Sequence, residues 1–75
     1  MDPNENLRRQ RETLEELREL QWEAEEAEER GRSTGAFAER QLDLLTELSQ
    51  LVEDLDEWLS KGGFLPGDWQ AARTV

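Results

Sequence analysis

The sequence predicts an all-α protein, an antiparallel helical hairpin that dimerises into a four-helix bundle and ends in a short aromatic C-terminal tail. Three observations carry that expectation. Residues 36–61 repeat apolar side chains along a broad helical stripe, residues 3–30 are almost all strong helix formers, and a cluster of helix breakers separates the two stretches. The chain reads as a single α-helical domain, 1–75, divided into helix 3–30, loop 31–35, helix 36–61 and tail 62–75.

The first helix opens at Met1-Asp2-Pro3-Asn4-Glu5. Asp2 can accept hydrogen bonds from the free amides, Pro3 suits the first helical position, and Glu5 complements the positive end of the dipole. From there to Arg30 the residues are mainly Glu, Arg, Leu, Gln and Ala, with no glycine or second proline among them. Gly31-Arg32-Ser33-Thr34-Gly35 then concentrates the breakers. Gly31 can end the helix in the left-handed conformation, and Ser33 or Thr34 can cap the next one.

The second helix carries the strongest signal. With Gln41 at heptad position a, position d holds Phe37, Leu44, Leu51 and Trp58, position a also holds Leu48 and Leu55, and position e holds Ala38, Leu45, Val52 and Leu59. Leu42 alone breaks an otherwise polar remainder. A three-in-seven apolar face belongs to a bundle helix that buries a broad side. Lys61 suits the negative C-terminal end, and Gly62-Gly63 stops the helix.

The first helix has a thinner stripe of Leu7, Leu14, Leu17, Leu20, Ala24 and Ala27. Two helices of similar length, roughly 40 Å at 1.5 Å per residue, joined by a short loop imply an antiparallel pair. Folding about Ser33 sets Ala24 and Ala27 near Phe37 and Leu44, Leu14 and Leu17 near Leu48 to Val52, and Leu7 near Leu55 to Leu59. One narrow helix leaves part of the broad face uncovered, and each fully buried leucine contributes about 1.5–3 kcal/mol. A second copy that completes a four-helix bundle is therefore expected, with a different protein partner as the alternative, and Phe37, Leu44, Leu45, Leu48, Leu51, Val52, Leu55, Trp58 and Leu59 form the core and dimer face.

In the tail, Phe64 can fold back on the last helical turn, Pro66-Gly67 is a turn pair, and Asp68 to Arg73 can form one more helical turn. Thr74-Val75 is expected to fray.

Composition narrows what such a fold can do. Nineteen acidic against nine basic residues give a net charge of −10. That surface disfavours direct binding of nucleic acid or an anionic membrane, because both draw on Lys and Arg. Cysteine is absent, which excludes disulfides, and the lack of histidine removes the usual zinc ligands. No apolar run approaches the ~18 residues of a membrane span. The N-terminus shows no hydrophobic signal core, so a cytoplasmic location is expected.

Without His, Cys or Tyr, the usual general bases and nucleophiles are missing. Ser33, Ser49 and Ser60 have no partner base, and a helical hairpin offers no cleft to raise a carboxyl pKa. No enzyme activity, catalytic residue, cofactor or metal is expected. Glu12, Glu15, Glu16 and Glu19 read as a solvated face, since di-metal bundles add Glu-x-x-His. Arg8, Arg9 and Arg11 are expected to pair with Glu5, Glu12 or Glu15 along the helix, or with Asp54 and Glu57 across the hairpin.

The segment Leu55-Asp56-Glu57-Trp58-Leu59-Ser60-Lys61-Gly62-Gly63-Phe64-Leu65-Pro66-Gly67-Asp68-Trp69, with Asp2-Pro3-Asn4 and Leu7 at the start, resembles small acidic proteins of actinobacteria and their phages. The resemblance implies a phage-type or bacterial intracellular setting (host cytoplasm if phage-encoded) and a shared use for the tail. It brings no catalytic residue.

A binding role is the remaining expectation: an interaction module that acts on a host or viral protein. Trp22 points about 150° from the leucine stripe at 100° per residue; it either lies on the Arg18 stem in a weak cation–π contact or, as an aromatic among acids, anchors a partner. Phe64, Leu65 and Trp69 either seal the bundle end near Leu7 or form a docking peptide. Two alternatives stand beside this reading. One is an acidic decoy that imitates nucleic acid through Glu23, Glu25, Glu26, Glu28, Glu29, Glu53, Asp54, Asp56 and Glu57. The other is a self-associating assembly component.

Overall fold

The computed structural model describes residues 1–73, so the expectation for Thr74-Val75 lies outside the described residues. It contains α1 (Pro3–Glu29), α2 (Gly35–Ser60) and α3 (Gly67–Arg73), with no strand among the described residues. The two long helices pack against each other as a hairpin, and the molecule is a slab with extents of 49 × 25 × 14 Å.

Local chemistry sets where each helix begins and ends. The Asp2 carboxylate accepts from the amides of Asn4 (2.9 Å) and Glu5 (3.4 Å), with Pro3 at the first helical position. Gly31 closes α1 at φ 72°, where its amide donates to Glu28 O and the Arg32 amide donates to Ala27 O. Gly62 closes α2 in the same way at φ 87°, with Gly62 N donating to Leu59 O and Gly63 N to Trp58 O. Both ends are Schellman turns, which satisfy the last carbonyls and need a residue at positive φ. Thr34 occupies the N-cap of α2 without a side-chain bond, and Ser33 Oγ accepts from Gly35 N at 3.5 Å instead.

The helices meet along matched heptad seams. In α2 the line is Phe37, Gln41, Leu44, Leu48, Leu51, Leu55 and Trp58; all but Gln41 are buried or half-buried. The facing line in α1 is Pro3, Asn6, Gln10, Thr13, Leu17, Leu20, Ala24 and Ala27, an unbroken 3–4 spacing in which every residue is buried or half-buried. This corrects the leucine stripe expected from the sequence. Leu7 and Leu14 each fall one residue beyond that spacing, so they lie beside the seam, and Asn6 and Thr13 take the central places.

The seam accommodates its polar members by bonding them. Asn6 Nδ2 donates to the Leu51 carbonyl across the hairpin at 2.9 Å, and Asn6 Oδ1 accepts from Gln10 Nε2 at 2.7 Å. Thr13 Oγ1 donates to Arg9 O at 2.8 Å, and no buried side-chain N or O among the described residues lacks a partner. The Asn6–Leu51 bond and the Arg9–Glu47 pair (2.5 Å) set the register. Helix one therefore sits closer to the loop end of α2 than folding about Ser33 suggests, with Asn6 meeting Leu51 and Arg9 meeting Glu47. Ala24 and Ala27 nevertheless share the loop end with Phe37, where all three line shallow hollows.

Asn6→Ala removes the cross-hairpin donor and leaves a gap beside Gln10. A loss of about 1–3 kcal/mol is expected, read as a lower urea midpoint at unchanged slope.

Candidate interaction surface

The two flanks of the hairpin seam differ in chemistry. Both ion pairs between α1 and α2 lie on one flank: Arg9–Glu47 at 2.5 Å and Arg40–Glu16 at 2.9 Å join the g positions of the two heptad patterns. The e positions occupy the other flank, and there α1 presents Leu7, Leu14, Gln21 and Glu28 while α2 presents Ala38, Leu45, Val52 and Leu59. No ion pair crosses between α1 and α2 on this flank among the described residues. Leu14 is 38% exposed, Leu45 43% and Val52 50%. Leu42 adds a further exposed leucine one position outward.

One end of that apolar flank is covered by the tail. Asn4 Oδ1 accepts from the Gly67 amide at 2.6 Å, and Arg11 Nη1 donates to Asp68 at 2.5 Å. Asn4 and Arg11 stand at b positions, next to the e row, so α3 begins over the N-terminal part of α1. Leu7, on the same row as Leu14, is only 8% exposed. Pro3 and Pro66 are buried, and Leu65 and Leu59 are half-buried at this end.

Trp58 holds the chain reversal that brings the tail back. Its Nε1 donates to Phe64 O at 2.9 Å, and its ring meets that of Phe64 edge-on with centroids 5.4 Å apart. Gly63 passes so close that an added Cβ would lie 2.3 Å from the Trp58 ring.

The candidate site residues therefore separate into distinct places. Leu44, Leu51 and Leu55 are buried in the seam, and Phe37, Leu48, Trp58 and Leu59 are half-buried around it. Leu45 and Val52 stand on the open flank. Phe64 and Trp69 keep substantial exposure on the tail, whereas Leu65 is half-buried. Trp22 is 62% exposed, at position f on the outer side of α1, away from all of these. Sequence reasoning missed Asn4 and Asn6, which tie α1 to the tail and to α2; for Asn6 the 3–4 spacing continuing through Pro3, Asn6 and Gln10 was the available signal, and Asn4, off that line, carried none.

The arginines are engaged locally. Arg8 bonds Glu5 and Glu12 along α1, and Arg9 and Arg11 reach Glu47 and Asp68. The partners across the fold are thus Glu47 and Asp68, not Asp54 or Glu57: Asp54 shares the g row with Glu47, but the register of the hairpin sets Arg9 against Glu47, and Arg11 meets the tail. The hydrogen bond from Arg8 holds the Glu5 carboxyl below the ordinary glutamate range and, reciprocally, the bond to Glu5 raises Arg8. The Lys61 hydrogen bond lowers Glu57 in the same way. Each lowered carboxyl favours the fold above the ordinary glutamate range and loses that contribution as pH falls through its lowered value. All of these groups are solvated, so the contributions are small.

Among the described residues no group of three or more acidic side chains is placed to hold a metal ion, and no helix is long and apolar enough to cross a membrane. No family model, curated protein or solved structure matches the chain.

Two substitutions separate the tail from the outer surface. Gly63→Ala forces the Trp58 ring aside, and a red-shifted, brighter tryptophan emission with a lower melting temperature is the expected result. Trp22→Ala removes an exposed side chain, so the urea midpoint should correspond to a change within about 0.5 kcal/mol.

Proposed function

We propose that this chain is a small protein-interaction module that works as a homodimer, two hairpins forming a four-helix bundle, and binds a host or viral protein through the surface left outside. The observation that carries the reading is the one-sided flank of Leu14, Leu45, Val52 and Leu42, exposed where the opposite flank is closed by ion pairs. An apolar row of this kind, rimmed by polar residues, marks an association surface.

The small core supports self-association in particular. Among the described residues the buried aliphatic side chains besides Pro3 and Pro66 are Leu7, Ala27, Leu44, Leu51 and Leu55, with Asn6 and Thr13 occupying central positions of the seam. With no cysteine or histidine, disulfides and ordinary zinc sites cannot supplement that core. A flank that must be covered for stability needs a partner present whenever the protein is made, and a second copy meets that need. Trp22 then lies outside the bundle, among Glu19, Glu25 and Glu26, as the anchor for a further protein. The resemblance of the tail to small acidic proteins of actinobacteria and their phages supports a bacterial intracellular setting.

Light scattering on a sizing column is expected to give twice the chain mass, independent of dilution through the micromolar range. Leu45→Lys together with Val52→Lys should return the mass to that of one chain and lower the melting temperature. A wild-type chain that stays monomeric and well folded at all concentrations would overturn the homodimer.

A further inference from the structure

We infer that the outer face of α1 around Trp22 is a docking site for a basic segment of a partner protein. One arginine of that segment stacks on the indole, and neighbouring cations meet the glutamates on either side. This rests on the reading of Trp22 as the anchor for a further protein and names the chemistry of what it holds.

The indole itself is free to take a cation. Trp22 is 62% exposed, and among the described residues no other aromatic of the two long helices is exposed. Its ring has no ring or charge contact among the described residues, so the Arg18 guanidinium, one turn away, does not occupy it. Tryptophan offers the strongest cation-attracting face of the aromatic side chains.

Charge around Trp22 is unbalanced, unlike that of the rest of the helix. Near the start of α1, Glu5 and Glu12 both bond Arg8, and Arg9 and Arg11 are also paired. From Glu15 to Glu29 only Glu16 and Glu26 have an ion-pair partner. Glu15, Glu19, Glu23, Glu25, Glu28 and Glu29 are exposed and have none among the described residues.

This distribution works against the helix. Glu15 and Glu19, Glu19 and Glu23, and Glu25 and Glu29 are like charges four residues apart, which repel along a helix surface. Glu28 and Glu29 stand at the negative end of the dipole, in a last turn without a basic residue. Caps, seam and ion pairs satisfy local chemistry elsewhere in α1. Here it is left unsatisfied around an exposed aromatic, and a bound cation relieves it.

The spread of the charges decides what kind of cation fits. Among the described residues no three acidic side chains converge to hold a metal ion. Glu15 to Glu29 instead extends about 21 Å along the helix at 1.5 Å per residue. An extended peptide of about six residues covers that length. Arginine suits the face better than lysine, because a planar guanidinium both stacks on an indole and bonds a carboxylate through two N–H groups. The net charge of −10 draws such a segment toward the surface.

Hexa-arginine with blocked ends, titrated into the full chain by calorimetry and followed through the tryptophan indole NMR signals, tests the site. The Trp22 signal should shift, while those of Trp58 and Trp69 stay in place. Trp22→Ala should weaken binding about tenfold or more, as loss of a central aromatic anchor does. Glu19→Gln, Glu23→Gln and Glu25→Gln together should weaken it about as much, yet raise the melting temperature by removing the repulsion. Three charges removed from α2, through Glu39→Gln, Asp43→Asn and Glu53→Gln, should change the affinity less than about threefold, since they alter only the overall field. Spermine, which carries no guanidinium to stack, should bind about tenfold more weakly than the peptide.

Equal losses from the two triple variants, or none from Trp22→Ala, would overturn the site in favour of diffuse attraction. Spermine that matched the peptide would overturn the assignment to a protein segment. The mass measured in the same buffer separates this inference from the homodimer. A dimer that ignores the peptide removes the basic partner alone, and a monomer that takes the peptide at Trp22 removes the homodimer alone.

Discussion

The hydrogen bond from the buried Asn6 amide to the Leu51 carbonyl fixes what the rest of the molecule must do. A polar residue in a helical seam is costly unless its partners are in place, and those partners exist in one register. Gln10 satisfies the remaining Asn6 oxygen, and Thr13 turns its hydroxyl back to its own helix. The chain-terminal half of the seam is thereby specific but poor in apolar burial. Stability has to come from elsewhere, and the fold supplies it from the tail.

The tail is an extension of that seam. Trp58 is the last seam residue of α2 and the anchor of the reversal through Gly63 and Phe64. Pro66, Gly67 and Asp68 then return to α1, where Asn4 accepts the Gly67 amide and Arg11 meets Asp68. Asn4 and Asn6, two residues apart, thus connect α1 to α3 and to α2 respectively. A short chain without cysteine achieves closure by polar bonds at one end and small-residue packing at the other.

Sidedness follows from the same seam. Because Pro3, Asn6, Gln10 and Thr13 occupy the central line, Leu7 and Leu14 move to the flank and join Leu45, Val52 and Leu59. The charges that bridge the helices collect opposite, at Arg9, Glu16, Arg40 and Glu47. Acidic residues elsewhere keep the surface solvated. The open flank is consequently a result of how helix one is rotated, which gives the proposed association a structural origin.

Much of this was determined by sequence alone: helical character, the breaks at Gly31 and Gly62, the cap at Asp2 and the broad α2 face. Local terms govern each of these, since propensity, positive φ and terminal amides act within a few residues. The same local geometry placed Trp22 on the outer side of its helix. Tertiary structure decided which side of α1 faces α2, because two overlapping stripes, Leu7-Leu14 and Asn6-Thr13, differ by one residue and a single helix cannot choose between them. The choice went to the line that continues the spacing through Leu17, Leu20, Ala24 and Ala27 and lets Asn6 find Leu51. The placement of α3 over Leu7 depended on bonds between residues more than fifty positions apart, such as Asn4 with Gly67. Partners so distant leave no periodic mark in the sequence, and only the folded chain brings them together.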